Sequence, residues 1–264
     1  MDLGAAFVVG DMGNPVSELA NRANAERVAF PLEESSEDLI LNKKGKPTSK
    51  FFHSRMIKKV TIANGLGTDL RNLNINHLTQ NIGKGKSSSY FGYTGKELVF
   101  TKGYAEILPT LQTGYEIRLN STATQIKHTK SGVEIIFTDG SSSTFDAVLV
   151  TVPLGVLKEK KITFSPSLSN ERTQAIDRMG MGTVDKIFLF FDEVFWQDVP
   201  WIYTTYNSGL PTGQFNMWLN QHKATGAKVL CAFNPGEAAL DLATKSDKEV
   251  IQKALRVLEL AYQA

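Results

Sequence analysis

Asp146-Ala147-Val148-Leu149-Val150-Thr151-Val152-Pro153-Leu154-Gly155-Val156-Leu157-Lys158 contains an apolar run that stops at a Pro-Leu-Gly. Apart from Thr151, no residue from Ala147 to Pro153 has a polar side chain. A strand with one wet face alternates apolar and polar residues. This run does not, so it reads as a central strand covered on both faces. Pro153 has no N–H to give a ladder and marks the strand's end. In open α/β sheets, ligands bind in the crevice beyond the strand ends. The stretch therefore predicts a buried strand that delivers Thr151 and Pro153 to a ligand.

Upstream lies a dense β region. Tyr115–Leu119 and Ala123–His128 read as strands, and Val133–Thr138 follows with an Asp139-Gly140 hairpin turn. Downstream, a helix over Ser169–Met179 is stopped by Gly180, and Val184–Phe191 reads as another strand. Ser246-x-x-Glu249 is a capping box, so a final helix begins there, with Val250, Ala254, Leu258 and Ala261 on one face. Near the start, Asp2–Val9 reads as a short strand before a turn at Gly10–Gly13. Asn14-Pro15 then opens a helix, Asn as N-cap and Pro at the first helical position. From Glu33 to Ser89 the chain is polar, with loops expected around weak helices. A further helix is expected over Tyr104–Leu111, after Gly103.

The chain has 264 residues, 42% hydrophobic and 21% charged, which is ordinary for a globular protein that buries a sizeable core. Its net charge of +2 is too small to point to nucleic acid or a membrane surface. No apolar run approaches the ~20 residues of a membrane-spanning helix. Cys231 is the single cysteine, so no internal disulfide framework exists. The opening Met1–Gly10 lacks a basic start, so an intracellular location is expected. His53, His77, His128 and His222 have no partners at ligand spacing, so no metal site is expected. Gly83-Lys84-Gly85-Lys86-Ser87 lacks Walker spacing and reads as a basic loop. No G-x-S-x-G occurs, and Asn120-Ser121-Thr122, which matches a glycosylation acceptor, is expected to be unmodified because no signal peptide is read.

Lys186 stands apart. On its strand it shares a face with Phe188 and Phe190, because strand side chains alternate. A lysine on an aromatic face is costly unless its ammonium reaches water or a partner. Spacing leaves two readings open: a lysine that snorkels to solvent, or a functional cation.

Thr151-Val152-Pro153-Leu154-Gly155-Val156-Leu157-Lys158 resembles a signature of the flavin-containing amine oxidases, which include polyamine oxidases, monoamine oxidases and lysine-specific histone demethylases. Gly182–Asp192 through Phe195-Trp196 resembles the family's following block. Asp2-Leu3-Gly4-Ala5 with Gly13-Asn14-Pro15 is similar to an upstream block. Gly103-Tyr104, Ile117–Asn120 and Gly236–Ala239 also fit. The resemblance covers residues 1–32 and about 95–264.

The resemblance implies a mixed α/β (α+β) fold. A partial FAD-binding region of the GR2 type, with an antiparallel β meander, would comprise residues 1–14 and 96–157. An amine-oxidase substrate region with a mixed sheet and helices would comprise 15–95 and 158–264. FAD is the implied cofactor. Gly4, Ala5 and Ala6 would lie near the isoalloxazine, Ala123 would offer backbone to the adenine, and Thr151 and Pro153 would face the cofactor. Lys186 matches the family lysine that holds a water near flavin N5. The implied activity removes hydride from the carbon beside an amine nitrogen of a small-molecule amine, of the polyamine or methylated-lysine class, and O₂ reoxidises the flavin to give H₂O₂.

Three departures qualify that expectation. No G-x-G-x-x-G occurs, no Gly-Glu-His-Thr-like segment occurs, and residues 33–94 diverge from the family pattern. The chain is therefore expected to hold the central portion of an amine oxidase, to be active only if completed by those segments, and to bind FAD weakly alone. The alternative is a non-catalytic pseudoenzyme or interaction domain that keeps the fold. A flavoprotein of the carotenoid or protoporphyrinogen oxidase type is a third reading, against which the block around Lys186 argues.

Overall fold

A computed structural model describes residues 2, 6–31, 37–42, 44–69, 93–205, 209–211 and 213–262. The mixed α/β class holds, with two compact units. One comprises Met1–Thr113 with Gly182–Ala264, and the other is Gly114–Met181.

The first unit is organised around a five-stranded sheet in the order Leu39–Leu41, Trp201–Thr204, Met217–Asn220, Val229–Pro235, Val184–Phe190. Pairing is antiparallel except where Leu39–Leu41 runs parallel to Trp201–Thr204. Every residue of the three central strands is buried, because both faces are covered. On one face, Ile202, Trp218 and Leu230 pack with Val250, Ala254, Val257 and Leu258 of the helix Asp247–Tyr262. On the other, Trp201, Tyr203, Met217 and Phe233 pack with Ile57 and Val60 of the helix Lys50–Leu66. Phe30, Val99 and Phe7 join that second layer from around a three-stranded sheet in the order Phe7–Val8, Leu98–Phe100, Arg27–Ala29.

Local chemistry sets the helix starts as expected. The Asn14 side chain accepts from Val16 N at 3.0 Å, one residue after Pro15 opens the helix Pro15–Arg22. Ser246 N donates to Glu249 Oε2 at 2.9 Å and Glu249 N to Ser246 Oγ at 3.4 Å, a reciprocal capping box. The turn after Gly103 is tighter than expected: Tyr104–Leu111 is a 3₁₀ helix. The polar region read as weak helices holds the 17-residue helix Lys50–Leu66, secured by its buried Ile57 and Val60. The basic Gly83–Ser87 loop and His77 lie outside the described residues.

The second unit is a four-stranded sheet in the order Ser142–Phe145, Gly132–Phe137, Ala123–Thr129, Thr163–Ser165. The Asp139-Gly140 hairpin forms as read: Asp139 Oδ1 accepts from Ser141 N at 2.9 Å, and Gly140 takes φ +82°. The helix Asn170–Arg178 starts at its Ser169 cap.

Two strand assignments are corrected. Tyr115–Leu119 forms no strand, and Leu119 is 80% exposed. Ala147–Val152 is extended but joins no ladder among the described residues. It is covered on one face only. Val148, Val150 and Val152 pack toward Ile126, Val133 and Ile162, while Leu149 is 87% exposed. An all-apolar run signals two covered faces only when a neighbour lies on each side, and the pattern does not name the neighbour.

Candidate active-site lysine

Lys186 sits near the start of the edge strand Val184–Phe190, opposite Phe233 on Val229–Pro235. Phe188 is opposite Cys231. Paired residues share a face, so Lys186, Phe188, Cys231 and Phe233 all point the same way. Phe188 and Phe233 join the core on that face. Phe190, expected to extend the aromatic face, is instead 70% exposed at the strand's far end.

Lys186 does not snorkel to open solvent. Its Nζ donates to the Asp2 carbonyl at 3.2 Å and stands 5.5 Å from the Phe233 ring centroid. Contact of an ammonium with a ring face contributes about 0.5–2 kcal/mol, more as water is excluded. Burial pulls the Lys186 ammonium below the usual lysine value, while negative charge at Cys231 and Asp2 would pull it up. Cys231 is fully buried, and that burial pushes its thiol up to about 12, against the pull of Lys186. At neutral pH the thiol is uncharged and gives the ammonium no support, whereas the Asp2 charge does.

These groups line a cavity of about 160 Å³ with Asp2, Ala6, Val99, Gly103 and Leu219. Of the site residues read from sequence, Ala6 and Lys186 share this cavity. Gly4 and Ala5 lie outside the described residues. Ala123, Thr151 and Pro153 belong to the second unit. There Ala123 begins a strand and is partly buried, Thr151 is exposed, and Pro153 accepts from Val156 N at 3.0 Å where the helix Leu154–Lys158 begins.

Asp2, Tyr104, Cys231 and Phe233 were not singled out as site residues from sequence. Asp2 and Tyr104 stand within segments that carry the resemblance, which is the signal that points to them. For Cys231 and Phe233 only the strand register supplies one.

A second cavity of about 700 Å³ in the same unit is lined by residues including Phe30, Trp196, Asn220 and Lys223. Its cation is already matched: Lys223 Nζ lies 3.4 Å from Asp198 and 4.0 Å from Glu37. Among the described residues, no group of three or more His, Cys, Asp or Glu side chains is placed to hold a metal ion. Among them too, no helix is long and apolar enough to cross a membrane.

Comparison with known proteins matches residues 19–264 to the model of the flavin containing amine oxidoreductases. The chain is 37% identical over 166 residues to polyamine oxidase 4 of Oryza sativa subsp. japonica, covering 63% of this chain and 34% of that protein. It is 34% identical over 161 residues to polyamine oxidase 2 of Arabidopsis thaliana, covering 61% of this chain and 32% of that one. Against lysine-specific histone demethylase 1B of Mus musculus, identity is 33% over 170 residues, 63% of this chain and 20% of the relative. The chain thus spans about a third or less of the curated relatives it matches. The match extends through residues 33–94, the stretch that diverges most from the motifs read in sequence. The chain belongs to the flavin-containing amine oxidoreductase family.

Proposed function

We propose that this chain forms part of an FAD-dependent amine oxidase acting on a polyamine or a methylated lysine. The observation that carries the reading is Lys186, a half-buried cation over an aromatic ring at a cavity that also takes Ala6. The donor set suits one edge of a flavin ring: a cation held on an apolar floor, where charge that develops during reaction is stabilised most. The cavity is smaller than the ~300–1,000 Å³ that encloses a whole ligand. It suits an edge and a water or two, not a dinucleotide. Bound FAD would take up the hydride and hand its electrons to O₂. Lys186 would hold a proton-bearing group at that edge. Phe233, Phe188 and Leu219 would keep bulk water out and so strengthen the field of the cation. In the second unit, Ala123, Thr151 and Pro153 would serve the cofactor through backbone and small side chains. On this reading residues 1–14 and 96–157 make the FAD-binding part, and 15–95 and 158–264 the substrate-binding part.

The test is a chimera in which these 264 residues replace the matching stretch of the rice polyamine oxidase. With spermine or spermidine it is expected to form peroxide, and Lys186→Met is expected to lower the rate about 10²–10³-fold, the usual effect of removing one stabilising donor. A chimera that carries flavin but whose rate ignores Lys186→Met would overturn the reading. The 264-residue chain alone is expected to bind FAD weakly. Lost phosphate contacts at ~1.5–3 kcal/mol each weaken binding by orders of magnitude. Near-stoichiometric flavin absorbance after purification with FAD would refute that.

A non-catalytic interaction domain is the second reading. Its support is the exposed apolar surface of the second unit, which includes Leu119, Leu149, Met179 and Met181.

A further inference from the structure

We infer that Asp2 is a positioning residue for Lys186, and that Tyr104 anchors both Asp2 and Phe7 beside the lysine's cavity. The inference rests on the proposed role of Lys186 and deepens it.

Asp2 makes two kinds of contact at once. Its main-chain carbonyl accepts from Lys186 Nζ at 3.2 Å. Its carboxylate accepts from Tyr104 N through both oxygens, at 3.0 and 3.1 Å. That N–H opens the 3₁₀ helix Tyr104–Leu111 and has no partner within its own helix, so a carboxylate is a fitting acceptor there. Gly103 makes the approach possible. It holds φ +103°, and a Cβ at that position would stand 2.9 Å from Asp2 Oδ1.

Tyr104 also grips Phe7. Its hydroxyl donates to the Phe7 carbonyl at 2.7 Å, and its ring meets Phe100 edge-on at 4.7 Å. Burial, with the nearby Asp2 charge, raises the Tyr104 phenol above its ordinary value, so the hydroxyl remains a donor across the physiological range. One residue therefore pins the chain at Asp2 through its backbone and at Phe7 through its side chain. Between those points lies Ala6, on the wall of the Lys186 cavity. Displacing Asp2 would move an acceptor of the ammonium and release that wall together. Among the described residues, the titratable groups that share the Lys186 cavity are Asp2, Lys102 and Cys231.

The test reads the lysine directly and needs no flavin, so it is independent of whether the chain oxidises amines. Competitive acetylation of the folded 264-residue chain across pH 7–11, resolved by mass spectrometry, gives reactivity and titration for each lysine. In the unsubstituted chain Lys186 should label slowly. Asp2→Ala should raise its labelling about tenfold, with the other lysines unchanged. Asp2→Asn keeps an acceptor for Tyr104 N but removes the charge, so the Lys186 titration should move further down with a smaller change in access. Tyr104→Phe keeps the backbone bond and loses the Phe7 bond, and should give an intermediate rise. A rise shared by all lysines would mean that Asp2 merely supports the fold, and would overturn the inference. So would a Lys186 profile that ignores all three substitutions.

Discussion

The two units solve the problem of burial differently. In the first, the strand Val229–Pro235 is buried along its whole length, with a helix on one side and a mixed layer on the other. In the second, the sheet has one packed face, and its buried apolar set is Ile126, Val133 and Ile162. The extended run Ala147–Val152 belongs to this thinner unit. Equal hydrophobicity therefore carries different energy in the two places. An apolar residue contributes ~25 cal/mol per Å² removed from water, and a bare Leu149 removes little. What a sequence run is worth depends on the layer opposite it.

Substitutions can break or sharpen that contrast. Trp218→Ala should cost the most, about 3–5 kcal/mol. It opens a cavity in the doubly covered sheet and removes one of two donors to the Phe215 carbonyl, which accepts Trp218 Nε1 and Thr204 Oγ1, each at 2.8 Å. Ile126→Val, in the one-sided core, should cost about 0.5–1.5 kcal/mol. Hydrogen exchange resolved by segment would locate each loss. Equal slowing of exchange in both units before mutation would contradict the contrast itself.

Ser246→Ala should cost about 1 kcal/mol by removing one half of the capping box. Ser246 also holds the Glu249 carboxyl below its ordinary value, first through its N–H and then through its hydroxyl. A lowered folded value means that this contribution is present above the unfolded value and is lost as pH falls through the folded one. The gap between the denaturant midpoints of the two proteins should therefore narrow as pH falls from 4.5 through the lowered Glu249 value, without closing, because the bond from Glu249 N to the Ser246 hydroxyl does not titrate.

Lys186→Met should have a smaller effect, and a stabilising one at neutral pH. Burial lowers the folded lysine's affinity for its proton, so the unfolded state binds more protons between the lowered value and 10.5. Stability then rises with pH across that window, and the penalty is fully present below it. The advantage of the Met variant should shrink as denaturation is repeated from pH 7 to pH 10.5. An advantage that grew would show that burial is not the dominant cause. Leu149→Ser should be smallest, within ~0.5 kcal/mol. A larger loss would mean that the outer face of Ala147–Val152 is covered after all.

Features decided within a few residues were legible in the sequence. Asn14 and Ser246 announced helix starts, and Asp139-Gly140 announced its turn, because the partners lie two to four residues away. The central strands Trp201–Thr204 and Met217–Asn220 went unmarked. Buried on both faces, they show no alternation, and at four residues each they give no period to read. The error at Tyr115–Leu119 has the opposite cause: strand-like residues there find no neighbour to pair with among the described residues. Lys186 was legible as an anomaly on an aromatic face. Its acceptor was not, since Asp2 lies 184 residues away along the chain.

The parallel pairing of Leu39–Leu41 with Trp201–Thr204 bears on the order in which the molecule assembles. Ile202 sits opposite Leu39, across a span of sequence that includes the entire second unit. Closing a loop costs entropy that grows roughly as (3/2)RT ln n, and no local contact repays it in advance. The antiparallel run from Trp201 to Pro235 has its partners close along the chain and should zip early, and the contiguous Gly114–Met181 unit can form on its own account. The strand Leu39–Leu41 should dock late. Until it does, the outer edge of Trp201–Thr204 is an open template for strands of other molecules, so refolding yield should fall with protein concentration more steeply than stability alone would dictate.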